Sequence, residues 1–306
     1  MRILVLGGHG FIGRRLAAAL AADGHEVQAR SRRDGFDLAD LELTRRLLTG
    51  LRPEAIFHCA AHVGSLHYVS THAAAVFHDN TQMALNLYRA VAEVCPSARL
   101  INPLSNCSYP GEADVQREPE WLHGEVHESV LSSGNAKRMV YYLARCYAKQ
   151  YHVRTLNFLV PNAFGPGDYT DPTRTHALNG MIIRMLQAQR QGRAEFEIWG
   201  TGRPLREWGY VDDLVAILRH SLTLETDLTY PVNIAQNRGY SIRESAELIA
   251  KALGYEGRLF FNASYQDGAS RKVLDDHRFR QVFPDFRFID HEEGIRRTVE
   301  YYRSVL

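Results

Sequence analysis

Net charge is the first thing this chain lacks. Its 306 residues carry 36 Lys and Arg against 35 Asp and Glu, a formal charge of +1. So weak a field gives no grip on nucleic acid or an anionic membrane surface, and neither is expected as a partner. No apolar run is long enough to cross a bilayer. The start, MRILVL, reads as a strand rather than as a secretion signal, so a cytoplasmic location is expected. Cysteine is scarce: Cys59, Cys95, Cys107 and Cys146 form no C-x-x-C pair and no disulfide framework, which suits a reducing compartment. The 14 histidines are scattered with no H-x-x-x-H helix, so no metal site is expected. Repeats and low-complexity stretches are missing too. What remains is 45% hydrophobic and 23% charged, enough for a large core or two lobes.

The most informative stretch present is the opening, MRILVLGGHGFIG. An apolar strand runs into Gly7, Gly10 and Gly13, and an alanine-rich helical pattern follows from Arg14 to Ala22. Strand, glycine turn and helix form the start of a dinucleotide-binding unit. The glycines allow a tight turn and close backbone approach to a pyrophosphate, and the helix N-terminus offers free N–H groups. A purely structural turn would need only one of the three glycines.

Beyond it, strand and helix alternate. Strands are predicted at His25–Arg30, Ala55–Cys59, Leu100–Leu104 and Val153–Val160, with helices at Thr81–Cys95 and Ala136–Tyr151. This alternation predicts an α/β fold: a Rossmann-type, doubly wound parallel sheet with helices on both faces. PNAFGPGDYTDPTRT, from Pro161, reads as loop. A helix (Leu178–Gln191) and smaller elements follow. The expected division is a Rossmann domain of residues 1–163, rejoined by about 210–235, and a smaller α/β lobe of 164–209 and 236–306. Ligand is expected between them, at the carboxyl ends of the strands.

The end of strand two bears on the cofactor. An acidic residue there would hold a ribose 2′-hydroxyl, whereas a cation suits a 2′-phosphate. Here it reads Ala29-Arg30-Ser31-Arg32-Arg33, with no carboxylate before Asp34. Ser31 can donate to phosphate and Arg32 can grip it in a bidentate fork, so NADP(H) is expected, with Asp37 and Leu38 beside the adenine. A solvated basic turn is the plainer alternative.

The glycine pattern, HCAAHVG (His58–Gly64), Asn80, Lys137 and PNAFGPG (Pro161–Gly167) resemble the extended short-chain dehydrogenases/reductases, the NAD-dependent epimerase/dehydratase family. SNCSYP (Ser105–Pro110), THALNGMIIR (Thr175–Arg184), WGTGRPLREWGYVDDL (Trp199–Leu214) and SRKVLD (Ser270–Asp275) resemble, more narrowly, its GDP-L-fucose synthase branch of GDP-4-keto-6-deoxy-mannose epimerase–reductases. The resemblance implies epimerisation at C3 and/or C5 of a GDP-4-keto-6-deoxy hexose or heptose. The ketone acidifies neighbouring C–H bonds, so a base removes a proton and an acid returns it to the other face. By resemblance that pair is Cys107 and His176, and Ser105 bonds the C4 oxygen. Read singly, each has a plain alternative, a small buried hydrophobe and a solvated loop imidazole. The resemblance further implies cofactor contacts at Phe11, Ile12, Ala60, Ala61, Lys137, Pro161, Asn162 and His176. It places the nucleotide–sugar on Asn162, Arg184, Trp199, Arg206 and Lys272, and implies a homodimer built from the two helices Thr81–Cys95 and Ala136–Tyr151. For Arg206 a surface ion pair, and for Trp199 lobe filling, are the alternatives.

One position departs from the pattern. The family's reduction step uses Tyr-x-x-x-Lys on one helix face, and four residues before Lys137 stands Ser133. Tyr141 lies one turn the wrong way. Gly134-Asn135 should also weaken the start of that helix. Epimerisation without C4 reduction needs the fewest assumptions, since enolisation requires no hydride. A full epimerase–reductase with another proton donor is the alternative. A catalytically silent NADP-binding scaffold or sensor is the reading from another class, and a dehydratase would want acidic residues near Ser133 that SSGN does not offer.

Overall fold

The computed structural model describes residues 1–171, 174–265 and 267–306. Pro172 and Thr173 of the predicted loop lie outside the described residues. The first half is built from β1 (Arg2–Leu6), α1 (Phe11–Ala22), β2 (Glu26–Arg30), α2 (Leu41–Leu51), β3 (Ala55–His58), α3 (Leu66–Thr71), α4 (Ala73–Val94), β4 (Arg99–Ser105), α5 (Leu131–Tyr151) and β5 (Thr155–Val160). The second half holds β6 (Asn162–Phe164), α6 (Ala177–Arg190), β7 (Glu195–Trp199), β8 (Leu205–Arg206), β9 (Trp208–Tyr210), α7 (Val211–His220), β10 (Leu228–Asn233), β11 (Tyr240–Ser241), α8 (Ile242–Leu253), β12 (Arg258–Asn262), β13 (Arg271–Lys272), α9 (His277–Val282) and α10 (His291–Val305).

Six strands pair in the order β10-β5-β4-β3-β1-β2, every neighbour parallel. Parallel strands are covered on both faces, which is why β1, β3 and β5 are buried along almost their whole length and mostly apolar. One face packs Leu48 of α2, Leu87 of α4 and Val140 of α5. The other packs Leu16 of α1, Leu214 of α7, and Phe279 and Phe283 from α9 and its end. The stretch after 236, assigned from sequence to the smaller lobe, thus returns one short helix to the main sheet. A third core joins α6, α8 and α10 with β7 and β9 through Ile182, Ile249, Val299, Phe196 and Trp208. Short pairs complete this part: β7 with β12, β6 with β9, and β8 between β11 and β13.

The strand order reverses direction at β1, which lies between β2 and β3. A crevice opens at such a point, at the carboxyl ends of the strands. Three local expectations change. α4 begins at Ala73 rather than Thr81; its first turn has no side-chain cap, so nothing in AAAVFHDN announces it. α5 begins at Leu131, which puts Ser133 and Lys137 together inside one helix. Part of the predicted loop after Pro161 is strand: Asn162–Phe164 pair with Trp208–Tyr210. Among the described residues, no helix is long and apolar enough to cross a membrane.

Candidate active site

The glycine turn sits at the reversal point. Gly7 has φ +75°, and a side chain there would lie 2.6 Å from the backbone of Cys59 and Ala60. A side chain at Gly13 would meet the Gly7 carbonyl at 2.2 Å, so α1 packs directly on the turn. Gly10 caps α1 without a side-chain hydrogen bond, and no acidic residue occupies the first turn. Bare N–H groups, positive dipole and a surface without side chains fit a pyrophosphate. Phe11 and Ile12 open this helix, and Ala60 and Ala61 face the turn from the end of β3.

At the tip of β2, Ser31 caps a short turn. Its Oγ accepts the Arg33 N–H, its own N–H donates to Asp34 Oδ1, and His9 Nδ1 lies 2.8 Å from its Oγ. Arg32 is exposed, and Asp34 is turned back on Ser31 N–H and Arg30. Asp37 Oδ1 accepts the Ala39 N–H. Leu38 is buried, with its carbonyl held by Asn86 of α4.

Cys107 occupies a tight turn at the end of β4. Its N–H donates to Ser105 Oγ, and the Ser108 hydroxyl donates to the Ser105 carbonyl. Arg138 of α5 ties this turn to the loop beyond, donating to the Ser108, Gly124 and Trp121 carbonyls. Gly134 explains the close approach of α5: a side chain there would stand 2.6 Å from the Cys107 carbonyl. The glycine expected to weaken this helix is what lets it reach the turn. Cys107 Sγ and Ser133 Oγ are 3.9 Å apart, and Ser133 also donates to the Val130 carbonyl. Lys137, one turn on, is half-buried and donates to the Pro103 carbonyl at 3.4 Å. Burial lowers its pKa, while the nearby Cys107 and Cys59 act the other way. Lys272 of β13 is likewise lowered by burial, raised by Cys107 and lowered by neighbouring Arg206. The ammonium groups of Lys137 and Lys272 thus both lie near Cys107. Tyr141 is buried edge-on against Trp121 and Tyr230, away from this group.

His176 caps α6 from a second direction. Its ring lies 5.4 Å from that of Phe11, and its Nδ1 is 2.8 Å from Asp168 Oδ2. The same oxygen accepts from the His176 N–H, the Thr175 hydroxyl and the Asn179 amide. Burial alone would lower the His176 pKa; the hydrogen bond and charge of Asp168 outweigh it and raise it. Asp168, despite its own burial, is held well below the usual carboxylate range by His176 and Thr175. Arg14 and Arg15 of α1 donate to the Gly167 and Pro166 carbonyls, coupling this loop to the helix above the glycine turn.

The remaining candidates line the smaller lobe. Asn162 donates twice to the Glu207 carbonyl, from backbone and side chain, and Pro161 packs beneath Gly209. Glu207 is buried, and its carboxylate accepts N–H groups from Gln236 and Leu274. Arg206, pushed down to about 10 by burial, bonds the Leu205 carbonyl. Arg184 lies over the Trp199 ring at 4.7 Å. Trp199 is 54% exposed and stacks on Tyr265, so it does not fill the lobe.

The structure thus gathers Cys107, Ser105, Ser133, Lys137 and Lys272 into one group, and holds His176 in another, against Phe11. Cys107 and His176 share no hydrogen bond among the described residues. Asp168, Arg14, Arg138 and Glu207 were not found from sequence. Only Asp168 left a trace there, as an acid beside Gly-Pro-Gly. Among the described residues no group of three or more His, Cys, Asp or Glu is arranged to hold a metal.

A parallel sheet reversing at β1, with a bare glycine turn above the crevice, defines a dinucleotide-binding α/β protein. The chain belongs to the NAD dependent epimerase/dehydratase family, which residues 3–235 match. It is 28% identical over 310 residues to the GDP-L-fucose synthase of Escherichia coli (98% of this chain, 96% of the relative). It is also 28% identical to the GDP-L-colitose synthase of Yersinia pseudotuberculosis (99% and 98%). The NADP-bound structure of a GDP-L-fucose synthetase from Naegleria fowleri superposes with a TM-score of 0.86 at 25% identity, covering 99% of this chain and 92% of that one.

Proposed function

We propose that the chain epimerises C3 and/or C5 of a GDP-4-keto-6-deoxy sugar, hexose or heptose, with Cys107 and His176 as the proton-transferring pair and NADP(H) as its dinucleotide. The observation that carries this reading is that the two groups are built for opposite proton roles. Cys107, whose N–H is held by Ser105 Oγ, stands at the end of β4 with Lys137 and Lys272 nearby and would act as the base. His176 is hydrogen-bonded to Asp168, whose hydrogen bond and charge raise its pKa and favour the imidazolium that would return a proton.

Ser105 would bond the C4 oxygen, so that the enolate charge meets a donor. Arg184, Arg206 and Lys272 would pair with the diphosphate, and exposed Trp199 offers a face to the base. Gly7, Gly10, Gly13, Phe11 and Ile12 would hold the pyrophosphate of the dinucleotide, Ser31 and Arg32 its 2′-phosphate, and Lys137 its ribose. Bound in reduced form, the dinucleotide supplies hydride. α4 and α5 pack side by side and leave Leu85 and Tyr142 exposed, which supports a homodimer through these helices. The separate cores support a division into a Rossmann lobe and a sugar-binding lobe, with α9 on the Rossmann sheet.

The test is incubation with GDP-4-keto-6-deoxy-mannose in D₂O, with and without NADPH, following sugar mass and NADPH absorbance. Deuterium uptake that disappears in Cys107→Ser is the expected result. Full uptake in that variant refutes the pair, and the absence of both uptake and NADPH loss leaves a silent binding protein.

A further inference from the structure

The segment after β3 carries a cluster that none of the roles above uses. His62 Nδ1 lies 2.8 Å from Asp79 Oδ2, and its Nε2 lies 2.9 Å from the Tyr68 hydroxyl. Three elements contribute: the strand-end loop gives His62, α3 gives Tyr68, and α4 gives Asp79. The imidazole is pinned through its backbone, because the His62 N–H donates to Asn80 Oδ1 and the His62 carbonyl accepts from Asn80 Nδ2, each at 2.9 Å. Carboxylate, imidazole and phenol therefore stand in fixed order. Asp79 is open to solvent at one end, His62 is largely covered, and Tyr68 is half-buried. The His72 ring stacks on Tyr68 at 4.4 Å, and a side chain on Gly64 would stand 2.4 Å from the Tyr68 ring. The phenol is thus held from both sides.

Its position bears on the chemistry. The loop that carries His62 begins at Cys59 and Ala60, against Gly7. α3 packs on the turn that leads into α5, where the Ser132 hydroxyl donates to the Val69 carbonyl. The loop and the helix that carry this cluster therefore link the dinucleotide turn to the start of the helix that bears Ser133 and Lys137.

We propose that Tyr68 is the proton donor for reduction of the 4-keto group, with His62 and Asp79 as its positioning residues. This rests on the reading of the chain as a GDP-4-keto-sugar enzyme and goes beyond it by supplying the acid that Ser133 lacks. The carbonyl carbon accepts hydride from a reduced nicotinamide dinucleotide, and the C=O π pair moves to oxygen. That oxygen takes the Tyr68 hydroxyl proton, and solvent returns a proton to the Tyr68 oxygen, which His62 Nε2 holds in place. Asp79 holds the other ring nitrogen, so the imidazole keeps its orientation through the step.

The experiment compares wild type, Tyr68→Phe and His62→Gln on GDP-4-keto-6-deoxy-mannose with NADPH in D₂O, measuring NADPH consumption and deuterium exchange on the same preparations. Tyr68→Phe should cut NADPH consumption about 10²-fold, and at least about 10-fold further than it cuts exchange, with His62→Gln in between. Equal losses of both readouts, or undiminished NADPH consumption in Tyr68→Phe, would overturn the assignment. Wild type that exchanges deuterium but consumes no NADPH would overturn it and leave the epimerase reading standing. Consumption without exchange, lost in Tyr68→Phe, would support Tyr68 and remove epimerisation. Failure of both activities in wild type overturns both.

Discussion

Replacing Asp168 with Asn changes one charge and almost no volume. In the native chain one carboxylate oxygen accepts from the His176 ring, the His176 N–H, Thr175 and Asn179. An amide oxygen keeps an acceptor in that place, so the loop should retain its shape while the charge facing the imidazole vanishes. An opposite charge at hydrogen-bond distance typically moves a histidine by about 1–3 pH units. Burial, which opposes the charged ring, remains and then acts alone. If His176 returns the proton as an imidazolium, exchange in the native protein falls as pH rises through its raised pKa. In Asp168→Asn that alkaline limb should begin about 1–3 pH units lower, with activity on the acid side largely kept. Deuterium incorporation into GDP-4-keto-6-deoxy-mannose, measured as initial rate across the neutral range, reads the limb directly. An alkaline limb that stays in place would refute the role of the pair.

Stability should follow the same ion pair. Asp168, depressed, contributes above its unfolded value of about 4 and loses this as pH falls; His176, raised, contributes below about 6.5 and loses this as pH rises through its folded value. The melting-temperature gap between native and Asp168→Asn should therefore be widest near pH 5–6. Gly134→Ala, which ordinarily favours a helix, should instead lower exchange at least about 10-fold, because its methyl meets the Cys107 carbonyl at 2.6 Å. Arg32→Ala should weaken NADP binding by about 1–3 kcal/mol and leave NAD binding nearly unchanged, as calorimetric titration would report. Glu207→Ala should cost about 2–5 kcal/mol in denaturant unfolding, because it strands the half-buried Gln236 N–H and the buried Leu274 N–H.

Much of the main sheet is legible in the chain because its strands are short apolar runs and its first turn is a glycine pattern with a steric reason for each glycine. Helix starts were harder to see. α4 has no side-chain cap, so its first two turns, Ala73 to Asn80, lie ahead of the helix predicted from Thr81. Gly134 looked like a helix breaker because its use, contact with the Cys107 carbonyl 27 residues earlier, exists only in three dimensions. Leu38 reads as an adenine contact from its distance past β2, yet its side chain is buried in the main core. The Asp168–His176 and Asp79–His62–Tyr68 arrangements join residues with no shared periodicity, so no window of sequence reveals them. The cysteine and histidine themselves stood out only through resemblance.

The central claim is that Cys107 and His176 act on one sugar ring from opposite faces. A crystal structure of the chain with NADP and a GDP-4-keto-6-deoxy sugar, or a stable analogue, measures this most directly. The account predicts Cys107 Sγ and the His176 ring on opposite faces of the pyranose, each in contact with C3 or C5, and the C4 oxygen on Ser105. A sugar that reaches one of the two and leaves the other outside the crevice would contradict it.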